Sequence, residues 1–192
     1  MTEQQPYELV RDAGSFELRR YRAHVVAETT VSADFERAGN QAFRYLFGYI
    51  SGDNTQGQSI SMTSPVVQSA PAAAGRSQKI AMTAPVTQRA EGRNFVVAFV
   101  LPASMSEATA PIPTRAEVTL RTVPASLAAV MKFSGRWTSS SYDSHRVALL
   151  AAVAAAGLTP LGETRFARFD PPYQPWFLRR NEVAVDVAES GS

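Results

Sequence analysis

Apolar and polar residues alternate in several short stretches of the chain, and two longer stretches switch to helical spacing. Phe16 and Leu18 alternate with Glu17 and Arg19, which predicts a half-buried strand ending at Tyr21. Val25–Val31 predicts a second extended segment. Ser32 or Asp34 then stands where a helix cap belongs, with Glu36 in the first turn, and the apolar spacing predicts a helix to about Ile50. Gly52 supplies the left-handed residue that commonly ends a helix. Asn94–Leu101 is short, apolar and β-rich, as a central strand would be, and Met105–Pro113 reads as a loop. Val118 and Leu120 alternate with Glu117, Thr119 and Arg121, and Ser126–Ser134 predicts a further strand. Ser139–Ser141 precede a second helix over Tyr142–Ala156, closed by Gly157. Arg165–Phe169 alternates again, Asp170–Phe177 is a Pro-rich aromatic loop, and Glu182–Val187 is the last strand. The polar tail 188–192 should fray.

Two repetitions organise this list. The nonamer Ile60-Ser61-Met62-Thr63-Ser64-Pro65-Val66-Val67-Gln68 returns twenty residues later as Ile80-Ala81-Met82-Thr83-Ala84-Pro85-Val86-Thr87-Gln88. Each copy reads as a strand interrupted at Pro, which lacks a donor N–H and biases the residue before it towards extended geometry. Ser69–Gln78 between them is a loop by composition. A longer duplication pairs Phe16-Glu17-Leu18-Arg19 and Ala23 with Val118-Thr119-Leu120-Arg121 and Ala125, an offset of 102 residues. A strand, a second strand and a helix follow in both halves. The expected fold is α+β, pseudo-twofold, with one curved sheet system, a helix against each half and a seam suited to a ligand cleft.

At 192 residues, with 45% apolar and 19% charged residues, the chain is expected to form a single soluble domain with a core over about 7–187. It has no apolar run long enough to span a membrane, and its first residues lack the basic and apolar regions of a secretion signal. It contains no Cys, which excludes disulfides and thiolate ligands and is consistent with a cytoplasmic setting. A net charge of +2 without a basic stripe gives no reason to expect nucleic-acid binding. A monomer is expected.

The twin Met-Thr-x-Pro-Val box, the helix ending Tyr49-Ile50-Ser51-Gly52-Asp53-Asn54, and Phe169-Asp170-Pro171-Pro172 followed by Arg179-Arg180-Asn181-Glu182-Val183 together resemble the SOUL haem-binding family from about Tyr7 to Val187. The resemblance implies a distorted β-barrel of two βαββ-type repeats flanked by two helices. It also implies a tetrapyrrole cleft between the first helix, here Asp34–Ile50, and the loop before the last strand, here Asp170–Phe177. Animal members carry basic residues, able to meet propionates, at positions matching Asn40, Gly48 and Gln174, none of which is basic here.

On the first helix, Phe35, Gly39, Ala42, Leu46 and Tyr49 form the sheet-facing stripe, and Phe43 and Phe47 lie to one side of it. Those two rings either sit under a loop or form a ligand wall. Phe43 falls where the family has an apolar cleft residue. Tyr173, Trp176 and Phe177 cluster on the Pro-stiffened loop, as a plug or as a second wall. Arg44, Arg179 and Arg180 are candidates for pairing with carboxylates. His24 shares strand parity with Val26 and Glu28 on the more polar face, and His145 lies off the apolar stripe of the second helix, so both are expected at the surface. Met62 and Met82 fit packing roles, with thioether ligation as the alternative, and Tyr173 could offer a phenolate.

No Ser-His-Asp order, metal-spaced set or Gly-rich phosphate loop points to an enzyme. Glu182 could be read as an acid, or as the partner of Arg179 or Arg180. The expected function is capture of haem or a related tetrapyrrole by hydrophobic contact, without a firm axial protein ligand, in a carrier, buffer or sensor. The alternatives are an effector-type module for another hydrophobic small molecule and a tetrapyrrole-processing enzyme.

Overall fold

A computed structural model describes residues 3–61, 63–64, 66–69, 94–170 and 173–188. The elements are β1 (Glu3–Gln4), β2 (Tyr7–Asp12), β3 (Glu17–Tyr21), β4 (His24–Ser32), α1 (Phe35–Ser51), β5 (Thr63–Ser64), β6 (Val66–Ser69) and β7 (Asn94–Val100). They continue with β8 (Thr119–Val123), β9 (Ser126–Phe133), α2 (Ser139–Ala155), β10 (Pro160–Arg168), the 3-10 turn Trp176–Leu178 and β11 (Asn181–Val187). Among the described residues no helix is long and apolar enough to cross a membrane.

Nine strands form one antiparallel sheet in the order β2-β3-β9-β11-β10-β6-β7-β4-β8, and β1 pairs separately, in parallel, with β5. The duplication is visible in this order. β3 begins at 17 and β8 at 119, β4 at 24 and β9 at 126, which preserves the offset of 102. With β6 matched to β10 and β7 to β11, exchanging the halves reverses the order from β3 to β8 onto itself, so the pseudo-twofold axis passes between β10 and β6. Among the described pairings none joins β2 to β8, so the sheet has two edges instead of closing into the expected barrel. The first copy of the nonamer supplies β5 and β6, and position 65 lies outside the described residues. The second copy lies outside the described residues.

Each helix covers its own half of the same face. The core under α1 includes Val25, Ala27, Val31, Phe95, Val97 and Phe99 from β4 and β7, met by Phe35, Ala42, Leu46 and Tyr49. Asp34 occupies the N-cap position without a side-chain bond, and Gly52 ends the helix at φ 124°, where its lack of a Cβ is needed. The core under α2 contains Leu127, Ala129, Val183 and Val185 against Leu149 and Val153. This helix starts three residues before the position the sequence suggested, because Thr138 accepts a bond from the Ser141 amide at 3.2 Å and caps it. Burying each Leu, Val or Phe of these layers contributes about 1.5–3 kcal/mol.

The far face of the sheet is also covered, contrary to the expectation for His24. Val26, Ala98 and Val100 are buried there, and His24 is half-buried. The same face carries an ion network. Arg19, 1% exposed, donates to both oxygens of Glu182 at 2.9 and 3.0 Å and lies 2.7 Å from the Glu17 carboxylate. Glu182 also accepts from Arg180 at 2.7 Å, Lys132 pairs with Glu17, and the Tyr7 ring lies 4.1 Å from the Arg19 guanidinium. Burial disfavours the charge on Arg19, and the bonds to Glu182 more than offset this and hold its pKa above the ordinary value. Burial likewise pushes Glu17 up, but bonds from Lys132 and Arg19 prevail and hold it below 4.5. Glu182 is therefore a structural partner of Arg19 and Arg180.

Removing one member of this buried pair leaves an uncompensated charge. Glu182→Gln is expected to destabilise the fold by about 3 kcal/mol in urea titrations, with Arg19→Met/Glu182→Leu recovering much of the loss. A double variant no better than the single one would refute the assignment. Because the folded pKa of Glu17 is depressed, its contribution is present above pH 4.5 and fades as the pH falls through the folded value. Glu17→Gln should flatten the acid limb of a Tm-against-pH curve.

Candidate functional site

One row of residues crosses the helix-side face and fixes the geometry of the site. Register places Ala27 beside Phe99, Phe99 beside Val66, Val66 beside Arg168, Arg168 beside Asn181 and Asn181 beside Phe133. Two strand spacings, about 10 Å, separate Phe99 from Arg168. β10 ends at Arg168 and β11 begins at Asn181, so the loop between them leaves the sheet at this row.

Over Phe99 sits Phe43, with ring centroids 5.7 Å apart. Phe43 stacks on Phe47 at 5.3 Å with planes 15° apart. The two rings are 41% and 46% exposed, so they are neither core residues nor fully covered. Four residues before Phe43, on the same side of α1, is Gly39. A Cβ at Gly39 would stand 2.6 Å from Nη1 of Arg168, so the missing side chain is what lets this guanidinium lie against the helix. Arg168 is buried, donates to the Gln68 side-chain oxygen at 3.0 Å and to the Phe35 carbonyl at 3.5 Å, and faces the Phe35 and Phe166 rings at 5.7 and 5.3 Å. Gln68, which closes the first nonamer, also donates to the Phe35 carbonyl.

Beyond Arg168 the row continues into the loop before α2. The Trp137 ring lies 5.0 Å from the Arg168 guanidinium and 4.3 Å from that of Arg179, within cation–π range of both. Its indole N–H donates to Asn181 at 2.7 Å, and Asn181 donates to the Gly135 carbonyl, which ties this loop to the start of β11. Arg179 donates to the Gln174 carbonyl at 2.7 Å, and Arg136 lies 5.6 Å from the Trp176 ring. Phe177 meets Trp176 edge-on at 5.7 Å.

The rings predicted from sequence thus fall at the two ends of this run of contacts, the shelf. Phe43 and Phe47 stand on the α1 side and Trp176 and Phe177, 49% and 58% exposed, on the loop side. Tyr173, 86% exposed, projects into solvent, and Arg44 is exposed one residue after Phe43. Of the residues between, Gly39 is legible in the sequence only as part of the sheet-facing stripe, and nothing there singles out Arg168 or Trp137 as site residues. Trp137 lies in a short Ser/Gly/Arg loop with no period, and the importance of Gly39 depends on a guanidinium from the other half.

The histidines are not on the shelf. His24 lies on the far face of the sheet. His145, expected at the surface, is half-buried with its ring stacked on Phe133 at 3.8 Å, and its Nδ1 lies 2.7 Å from the Ser141 carbonyl. Among the described residues no group of three or more His, Asp or Glu could hold a metal ion, and Met62 and Met82 are outside them. At Gly48, one of the positions that the resemblance matches to basic residues, a Cβ would stand 2.7 Å from the carboxylate of half-exposed Asp53, itself paired with Arg115 at 2.9 Å, so a side chain there would have to push that carboxylate aside.

Replacing Gly39 by Ala tests the close approach of Arg168. Helix propensity alone would favour Ala by about 1 kcal/mol. Displacement of the buried guanidinium should reverse that sign, lower the Tm and shift Trp137 emission. A raised Tm with unchanged emission would show that Arg168 does not need the gap.

Comparison with known proteins adds three findings. A frog protein named Heme-binding protein 1, from Xenopus tropicalis, is 26% identical over 174 residues, covering 90% of this chain and 84% of the relative. Among solved structures, the C-terminal domain of EcmrR superposes with a TM-score of 0.62 at 10% identity, covering 96% of this chain and 99% of that domain. A hydrolase from Listeria innocua superposes at 0.57 with 8% identity, covering 97% and 94%. These structural likenesses concern the fold alone. The SOUL heme-binding protein family matches residues 2–186, and with nearly the whole chain covered, the protein belongs to that family.

Proposed function

We propose that the shelf between α1 and the 173–179 loop captures haem or a related flat tetrapyrrole, mainly by hydrophobic contact, in a single copy of the chain acting as a carrier, buffer or sensor. The observation that carries this reading is the stacked, half-exposed pair Phe43 and Phe47, braced on Phe99. Membership of the SOUL family and the name of the frog relative support it.

A porphyrin presents an apolar disc. Covering a few hundred Å² of it at about 25 cal/mol per Å² contributes several kcal/mol. Micromolar affinity needs about 8 kcal/mol after association costs, so the slot must be largely formed beforehand. Several features supply that order: Phe43 is braced on Phe99, and Trp137 is in contact with two guanidiniums and bonded to Asn181. Arg44 and Arg179 give the rim positive charge suited to propionates. When bound, haem would supply its own redox and light-absorbing chemistry. The chain's residues hold the disc, shield one face from water and attract its carboxylates. With His24 across the sheet and His145 packed on Phe133, the reading places no firm axial bond from a histidine.

Titration with haemin and with iron-free protoporphyrin separates contact from coordination. The expected affinities agree within about threefold, and a strong preference for haemin would instead require a ligand to iron. Phe43→Glu/Phe47→Glu should weaken both by about tenfold or more without loss of fold, because the substituted side chains are already partly exposed. Unchanged affinity would move the site elsewhere. Time-dependent loss of haem absorbance would replace capture by a processing reaction.

A further inference from the structure

The loop between β10 and β11 ends in the 3-10 turn Trp176–Leu178, whose three residues are all apolar and are 49%, 58% and 60% exposed. Successive side chains of such a turn point about 120° apart. The turn is therefore apolar all round, and the fold seals none of its sides. Tyr173, on the same loop, is 86% exposed. A flat guest on the shelf can lie along one side of this turn and leaves the others in water. Apolar residues exposed singly are ordinary, but four within one short projecting loop call for an occupant.

The turn holds its shape before it meets anything. The Leu178 amide donates to the Pro175 carbonyl at 2.9 Å, and the Arg179 amide to the Trp176 carbonyl at 3.3 Å. The Arg179 guanidinium donates to the Gln174 carbonyl at 2.7 Å. These bonds let the tip leave water without stranding the polar groups they join.

Cations lie at its base. The Arg136 guanidinium is 5.6 Å from the Trp176 ring, and Leu178 shares an open hollow with Lys132, Arg179 and Arg180. Lys132 and Arg180 pair with Glu17 and Glu182, but those two carboxylates also pair with Arg19, so this network keeps an excess of positive charge. From Tyr173 to Arg180 the sequence holds no acidic residue.

We propose that the 173–178 loop is a docking site for an anionic phospholipid surface. Trp176, Phe177 and Leu178 enter the boundary between headgroups and acyl chains, and Arg136 with the cations of the hollow meets the headgroup phosphates. A fluid encloses every side of a projection at once, which a second folded protein does only with a matching socket. Trp and Tyr favour that boundary, and anionic lipids attract the basic side chains beside it. The chain then lies on the membrane and does not span it. The proposal does not depend on what the shelf binds.

The experiment sediments the full chain, free of haem, with vesicles of phosphatidylcholine alone and of phosphatidylcholine and phosphatidylglycerol in equal parts. Binding to the mixed vesicles is expected to be about tenfold tighter or more, and to weaken with added salt. Phe177→Ser/Leu178→Ser should weaken it about tenfold, and Arg136→Gln about fivefold. These side chains are exposed, so Tm should stay unchanged. Lipids brominated on their acyl chains should quench the protein's Trp emission, and the quenching should vanish in Trp176→Tyr, where Trp137 is the remaining indole. Equal binding to the two vesicles, no binding to either, undiminished binding of Phe177→Ser/Leu178→Ser, or quenching that survives Trp176→Tyr would each overturn the proposal. With haem absent throughout, none of these outcomes bears on the haemin titration.

Discussion

The guanidinium of Arg168 ties the two halves of the molecule together over the β10–β6 seam. It comes from β10 of the second half, bonds to Gln68 of β6 and to the first carbonyl of α1 in the first half, and lies across the pseudo-twofold seam. A buried cation is tolerable only when its donors and its flat faces are met. Here Phe35, Phe166 and Trp137 meet the faces, and Gly39 lets the helix come close enough for the whole set to form. The planar fork matters, because an ammonium could not bond to one element while stacking on others. This contact and the buried stripe of Ala38, Ala42, Leu46 and Tyr49 seat α1 on the sheet, with Phe43 and Phe47 at its exposed side.

Two loops of the second half complete the same surface. Asn181 holds the loop carrying Trp137, and the Arg179 contact holds the loop carrying Trp176. The Arg-Arg-Asn-Glu run is thus divided by strand alternation. Asn181 works on the helix-side face, whereas Glu182 anchors Arg19 on the other. Four adjacent residues serve two separate layers because neighbouring side chains in a strand point opposite ways.

Much of this was readable in the chain. The strands with one buried face carry a period of two, α1 carries its apolar stripe, and the 102-residue offset between halves reappears in the strand order. The aromatic pair on α1 was readable because its spacing departs from the stripe that covers the sheet. What stayed hidden depended on distant partners. Gly39 looked like any small residue on a packed helix until Arg168 was seen beside it. His24 had the parity expected, but nothing in its own strand says that the N-terminal segment covers that face. β2 went unrecognised because all six of its residues are exposed and its register shifts between Leu9 and Arg11, so no alternation survives.

That shift matters for how the molecule behaves among its own kind. Among the described residues β2 is an end strand, paired on one side only, with β3. The irregularity at Leu9–Arg11 twists the edge, and Glu8, Arg11 and Asp12 place charge along it. A sheet that stops short of a ring leaves an invitation to fibril growth, and this chain answers it with a kink and three ionised side chains.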